Sequence, residues 1–247
     1  MKFEVPRIIK IFTTPAELAE AFAVDLVNLI KKAENKQSPV MVALSGGNTP
    51  KLLFSVLADK YAKSVRWGYI HFFWVDERCV PPDDPESNYG MTSSLLLNKI
   101  IIPEKNIHRI RGEDDPEKEA LRYSEEIMNN TRSRNEIPVF DLIILGLGDD
   151  GHTASIFPEN IELVDSGRVC EVAVHPVSGQ KRVTITGKVI NNADAITFLV
   201  TGHAKAHIVE DIFKNRKTAA CFPAFHVNSS HGKVLWLLDK NAGEFIH

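Results

Sequence analysis

The chain has 247 residues, 44% of them hydrophobic, and a formal charge of −3 at pH 7. That length can bury one large core and fits a single domain spanning residues 1–247. The small charge, mixed in sign along the chain, argues against a nucleic-acid face or an acidic tail. No apolar run approaches the roughly 18 residues of a membrane span. The cysteines, Cys79, Cys170 and Cys221, are widely spaced and form no C-x-x-C pair. This pattern argues against a disulfide framework or a structural zinc site and fits a reducing compartment. With Lys2, Glu4 and Arg7 at the start and no secretory apolar core, a cytoplasmic location is expected.

Ile8 to Phe12 reads as a short apolar strand. Thr14-Pro15-Ala16-Glu17 then opens a helix, with a cap, a first-turn proline and the acid of a capping box. Leu18, Phe22, Leu26, Leu29, Ile30 and Ala33 recur at helical spacing and predict one buried stripe. Val40 to Leu44 is an all-apolar strand running into Ser45-Gly46-Gly47-Asn48-Thr49-Pro50, where Thr49 is placed to cap and Pro50 to start the next helix. A glycine turn between a strand and a helix N-terminus offers free amides and a positive dipole end to an anion. No Lys follows the second Gly, so this is not the P-loop of a nucleotide hydrolase. It reads either as a tight turn or as a cradle for one phosphate.

Ile70 to Val75 predicts a third buried strand ending in Asp76-Glu77-Arg78, with Pro81, Pro82 and Pro85 stiffening the loop before Ser87-Asn88. These charges are either a salt-bridged scaffold or a site in which Arg78 offers its fork of donors to a carbonyl or phosphate oxygen. Further on, a helix is expected over Tyr89 to Asn98 and a short strand over Ile107 to Ile110. A polar-faced helix follows from Pro116 to Asn130, with Leu121 and Ile127 on its inner stripe. Arg132 to Glu136 reads as a solvated connection.

Leu142 to Leu145 is apolar without interruption, as in a strand buried on both faces, and breaks into a glycine turn carrying Asp149, Asp150 and His152. Gly146-Leu-Gly148-Asp-Asp-Gly151 matches the dinucleotide fingerprint. That fingerprint needs bare amides and a helix N-terminus facing a pyrophosphate, whereas here two carboxylates occupy the turn and Pro158 follows soon after. The dinucleotide reading is therefore set aside.

Val169 to Val174 predicts a strand, and Arg182 to Gly187 alternates as a half-exposed strand would. Ala195 to Val200 is a buried strand ending in Thr201-Gly202-His203-Ala204-Lys205, before a helix through Ile208, Val209, Ile212 and Phe213. Lys205 in the first turn of that helix opposes the dipole at a cost of about 0.3–1 kcal/mol, a conflict that a bound anion would remove. Val234 to Leu238 supplies the last strand. About seven strands interleaved with helices predict an α/β fold: a doubly wound, mostly parallel, Rossmann-like sheet with helices on both faces.

Four strand ends, at 44–49, 75–78, 145–152 and 200–205, are thereby brought to one edge of the sheet, where ligands of open α/β sheets sit. No activated Ser or Cys nucleophile is visible, since Ala43-Leu-Ser45-Gly-Gly lacks the first glycine of a nucleophile elbow. That leaves His152 as general base and water as nucleophile.

Taken together, Ser45-Gly-Gly-Asn-Thr-Pro50, Trp74-Val-Asp-Glu-Arg78 with Ser87-Asn88, Leu145 to Pro158, Arg182-Val-Thr and Thr201-Gly-His-Ala-Lys205 resemble the 6-phosphogluconolactonases. These belong to a superfamily that also holds the glucosamine-6-phosphate deaminases. The resemblance implies hydrolysis of 6-phospho-D-glucono-1,5-lactone without a metal or other cofactor. A monomer or weak homodimer is expected, and composition and charge point to no nucleic-acid or membrane partner. The resemblance makes His152 the base and puts Arg78 near the substrate. It makes Ser45, Gly46, Gly47, Asn48, Thr49, Arg182 and Lys205 the phosphate grip, with Asn88 also at the binding site. Asp150 and Asp76 are assigned the orientation of His152 and of the sugar hydroxyls. Deaminases continue the Asp-Gly-His turn with an Asn-Glu-Pro segment. Here Ile156-Phe157-Pro158 stands in its place, and Arg78 replaces a Tyr, so the deaminase reading is disfavoured. A sugar-phosphate sensor without the base is a second alternative, disfavoured by the presence of His152.

Overall fold

A computed structural model describes residues 7–229 and 231–246. Lys2 and Glu4, on which part of the N-terminal reading rests, lie outside them. In chain order the elements are β1 Arg7–Phe12, α1 Pro15–Lys36, β2 Val40–Leu44, α2 Asn48–Tyr61, β3 Ile70–Trp74, β4 Asp76–Arg78, α3 Asn88–Leu95, β5 Ile107–His108 and α4 Pro116–Asn130. They continue with β6 Arg132–Arg134, β7 Ile137–Val139, β8 Leu142–Leu145, β9 Cys170–Val174, β10 Lys181–Ile185, α5 Gly187–Asn191, β11 Ala195–Val200, α6 Ala206–Phe213 and β12 Lys233–Asp239. No helix among the described residues is long and apolar enough to cross a membrane.

Seven strands form one parallel sheet in the order β1-β12-β11-β8-β2-β3-β5, with the helices packed around it. Its central strands are buried along nearly their whole length, which is why their sequences are almost wholly apolar, broken only by His71 in β3 and Thr197 in β11. From β2 the chain moves one way, to β3; from β8 it moves the other way, to β11 and β12. The strand order therefore reverses between β2 and β8, and the crevice outside the carboxyl ends of these neighbours is where such a sheet binds ligands.

Val75 is the corner at which the chain leaves this sheet. Its N–H donates to Leu44 O at 2.9 Å and its carbonyl accepts from Ile185 N at 2.9 Å. The buried Tyr123 hydroxyl anchors the preceding residue, accepting from Trp74 N at 2.8 Å and donating to Trp74 O at 2.9 Å. Beyond the corner, β4 joins β10 and β9 in a separate antiparallel sheet.

Residues 169–174 and 182–187, expected as strands, thus lie outside the central sheet. The half-exposed reading of 182–187 is corrected: Val183, Thr184 and Ile185 are all buried, because that strand is covered on both sides. The second helix starts at Asn48 after Gly47, whose φ of 102° suits only glycine, so Thr49 lies inside the helix rather than capping it. The Tyr89–Asn98 helix is instead α3 followed by a separate 3-10 turn, Leu97–Lys99. The 107–110 strand shortens to two residues, and 132–136 is part of a small hairpin rather than a bare connection. On α4 Leu121 is 62% exposed, and Ala120, Tyr123 and Ile127 form the buried stripe. Thr14 caps α1 as expected, accepting from Glu17 N at 3.2 Å, but Glu17 reaches back to Thr13 N rather than to the cap itself.

Candidate active site

A cleft of about 340 Å³ opens at the reversal point, between the turns that follow β2 and β8. It is lined by all of the sequence-predicted site residues except Asp150, which stands behind His152.

After β2, the turn Ser45-Gly46-Gly47 leads into the N-terminus of α2. A Cβ on Gly46 would lie 1.8 Å from Asn88 Oδ1, so only glycine lets α3 approach this closely. Thr49 lies one residue inside α2, and its hydroxyl is 2.8 Å from that of Thr201, which follows β11. This helix start lines the cleft, and a helix start offers free amides and the positive end of a dipole to an anion.

The Asp76-Glu77-Arg78 strand divides its charges by the two-residue period of a strand. Glu77 points inward and is scaffold: its carboxylate accepts from Arg78 N at 2.8 Å, Asn88 N at 2.8 Å, Tyr89 N at 2.7 Å and Ser87 Oγ at 3.0 Å. Burial nevertheless pushes its pKa up against these four bonds. Asp76 and Arg78 line the cleft on the other face. Antiparallel pairing sets Arg78 directly opposite Arg182 and Asp76 opposite Thr184. Two guanidiniums side by side repel, and each keeps a buried Nε without a hydrogen-bond partner among the described residues. The Arg182 pKa is pulled down by burial, with Asp76 opposing and Arg78 adding to the fall. An anion placed between the two cations would relieve both the repulsion and the unpaired donors.

Of the two acids assigned the orientation of His152 and of the sugar hydroxyls, Asp76 is the one that lines the cleft. Its carboxylate accepts from Ser155 Oγ at 2.6 Å, lies 4.0 Å from Arg182 Nη1 and receives a long 3.5 Å contact from Asn88 Nδ2. It has no hydrogen bond to His152 among the described residues. Ser155 escaped sequence reasoning, because only the fold sets it against a residue 79 positions away. Thr201 was legible as a strand end but not singled out.

After β8 the turn folds back on itself. Gly148 N donates to His152 O at 2.8 Å, and Thr153 Oγ1 donates to Gly146 O at 2.9 Å. A Cβ on Gly148 would lie 2.0 Å from His152 Nδ1, so the ring needs that glycine to fold over the turn. Asp150 Oδ1 accepts from the His152 backbone N–H at 3.0 Å and lies 2.6 Å from ring Nδ1. Burial alone would raise the Asp150 carboxyl, but the hydrogen bonds and charge of His152 outweigh it and hold the pKa down at about 2. With Nδ1 committed to Asp150, Nε2 is the nitrogen left for chemistry. Phe157, fully buried, packs its ring 4.8 Å from the His152 ring and 5.7 Å from Arg182 Cζ. Lys205 sits in a 3-10 turn at the cap of α6, not in its first turn, and donates to Asp149 across the cleft mouth. Among the described residues no group of three or more His, Cys, Asp and Glu side chains is placed to hold a metal ion.

Fold and site together define an α/β protein whose switch-point crevice combines a glycine turn, three cations and a histidine–aspartate couple. Residues 13–236 match the family model described as glucosamine-6-phosphate isomerases/6-phosphogluconolactonase. The 6-phosphogluconolactonase of Haemophilus influenzae is 47% identical over 207 residues, 83% of this chain and 86% of that protein. The relative from Synechocystis, with the same name, is 40% identical over 92% of this chain and 93% of its own. The solved 6-phosphogluconolactonase of Leishmania guyanensis superposes with a TM-score of 0.87 at 28% identity, covering 98% of this chain and 99% of that one. The chain belongs to the glucosamine-6-phosphate isomerase/6-phosphogluconolactonase family, and within it stands with the lactonases.

Proposed function

We propose that the chain, acting as one domain, hydrolyses 6-phospho-D-glucono-1,5-lactone to 6-phospho-D-gluconate by His152-assisted attack of water. The observation that carries this reading is the His152 Nδ1–Asp150 Oδ1 contact of 2.6 Å at the end of β8, facing a glycine turn and three cations across one cleft. The relatives' names support the substrate, and the geometry of the site supports the roles assigned here.

Asp150 accepts from Nδ1–H and fixes the ring in the tautomer whose Nε2 can take a proton. Nε2 removes a proton from water as the oxygen attacks the lactone carbonyl carbon, and the carbonyl π electrons move onto oxygen. Arg78, with its unpaired Nε, faces that developing charge. When the tetrahedral intermediate collapses, the bond from the carbonyl carbon to the ring oxygen breaks, and the imidazolium returns its proton to the leaving oxygen as a hydroxyl. The acid product then ionises in water. The α2 turn, Arg182 and Lys205 hold the phosphate, whose binding energy orients a carbonyl several bonds away. Asp76 balances the paired guanidiniums and holds Ser155. Phe157 beside the base carries no proton to give, which favours hydrolysis over the isomerisation–deamination of the sister enzymes.

The test is formation of 6-phosphogluconate from freshly made lactone, followed with its NADP-dependent dehydrogenase against a no-enzyme blank. Acceleration over the blank is expected. His152→Ala should lower kcat by about 10²–10⁴-fold, and Lys205→Ala should mainly raise KM. A folded wild type that never exceeds the blank would refute the activity, and a His152→Ala enzyme of undiminished kcat would refute the assigned base.

A further inference from the structure

Lys205 stands at the start of α6, where the dipole disfavours a cation and a bound anion would resolve the conflict. In the structure a carboxylate of the chain itself takes that place: Lys205 Nζ donates to Asp149 Oδ1. The partners are unequal. The Lys205 side chain is 18% exposed, enclosed against the cleft wall, whereas Asp149 is 76% exposed. Asp149 therefore reaches in from solvent onto a largely enclosed cation, in a cleft lined also by Gly47 and Thr201. It also lies on the turn that carries His152.

We propose that Asp149 is an intramolecular competitor of the ligand phosphate for Lys205. This rests on the reading of Lys205 as part of the phosphate grip. A phosphate brings three acceptor oxygens and close to two charges, against the single charge of a carboxylate, so it displaces Asp149 but against resistance. The resistance applies to substrate and product alike. Asp149 thus weakens binding at both ends of the cycle and hastens departure of the phosphorylated product. It is a residue that sets affinity, separate from the groups that perform the chemistry.

The test is calorimetric titration of the full chain with inorganic phosphate at low ionic strength, where such a pair is least screened. Four proteins are compared: wild type, Asp149→Asn, Lys205→Met and the double variant. Asp149→Asn should tighten phosphate binding about two- to fivefold, the range open to a pair with one exposed partner. Lys205→Met should weaken binding. Asp149→Asn should then have no further effect in the Lys205→Met background, because its target is gone. The lactone assay should show a lower KM and tighter inhibition by 6-phosphogluconate for Asp149→Asn. Unchanged or weaker phosphate binding in Asp149→Asn, while Lys205→Met still weakens it, would overturn the proposal and leave the phosphate grip standing. Equal tightening in both backgrounds would overturn it too, assigning the effect to the general field of the cleft. If phosphate fails to bind wild type, or binds regardless of Lys205, the proposal falls together with the reading of Lys205 on which it rests.

Discussion

Asp150→Asn isolates the electrostatic support of the His152 ring. The substitution keeps shape and an acceptor oxygen but removes the charge beside Nδ1. The fall of the Asp150 pKa from its ordinary 3.8 to about 2, in spite of burial, reports how strongly it interacts with His152. At about 1.36 kcal/mol per pH unit, that fall is on the order of 2 kcal/mol. The Asp150 side chain is 41% exposed, so solvent screening reduces the useful part to about 1–2 kcal/mol. If that interaction is realised when the ring carries the water's proton, its loss lowers kcat by about 5–30-fold. KM should stay within about twofold, since Asp150 lies behind the ring and outside the cleft lining. Steady-state kinetics on fresh lactone, with circular dichroism to establish folding, make the measurement. A folded Asp150→Asn enzyme with wild-type kcat, or one whose loss is entirely in KM, would refute the reasoning.

Gly46→Ala places a Cβ 1.8 Å from Asn88 Oδ1, and Asn88 is buried and tied to the Asp76 carbonyl by a 2.9 Å bond. Overpacking of this kind costs about 1–3 kcal/mol, so scanning calorimetry should show a Tm lower by several degrees and assays a higher KM; an unchanged Tm would mean α3 is free to retreat. Stability should also fall in mild acid. Burial, and then the charges of His108 and Lys105, lower the His71 pKa from 6.5 to about 4. Because the folded value lies below the unfolded one, the neutral ring's contribution is fully present above pH 6.5 and is lost as pH falls through about 4. His71→Asn, which retains a donor near the Nδ1 that meets His108 Nε2 at 2.9 Å, should flatten the dependence of urea unfolding on pH across that window; equal slopes would assign the acid sensitivity elsewhere.

Local pattern was sufficient wherever the physics is local. Unbroken apolar runs such as 40–44 and 142–145, and the nearly apolar 195–200, are best satisfied by burial on both faces, and so they announced the parallel core. Thr14 before Pro15 announced the start of α1. A ligand site at the carboxyl ends of the strands followed from that architecture, and the glycine turn and the Asp-Gly-His turn were legible as its parts. What the sequence could not express was which strands would be neighbours. Residues 76–78 and 181–185 are about a hundred positions apart, and nothing in either stretch says that antiparallel pairing will set Arg78 opposite Arg182. The same pairing carries 181–185 out of the central sheet and buries Thr184. Asp76 offers a similar lesson: its place at a strand end was legible, but its packing against Ser155 and Arg182 comes only from the tertiary fold. Lys205 is the case where the two levels meet. From sequence alone, its place near a helix start read as one where an anion would remove a conflict of charge and dipole, which act within one turn. That Asp149 supplies one depends on how far apart β8 and β11 lie in the sheet, a distance set only when the strands assemble.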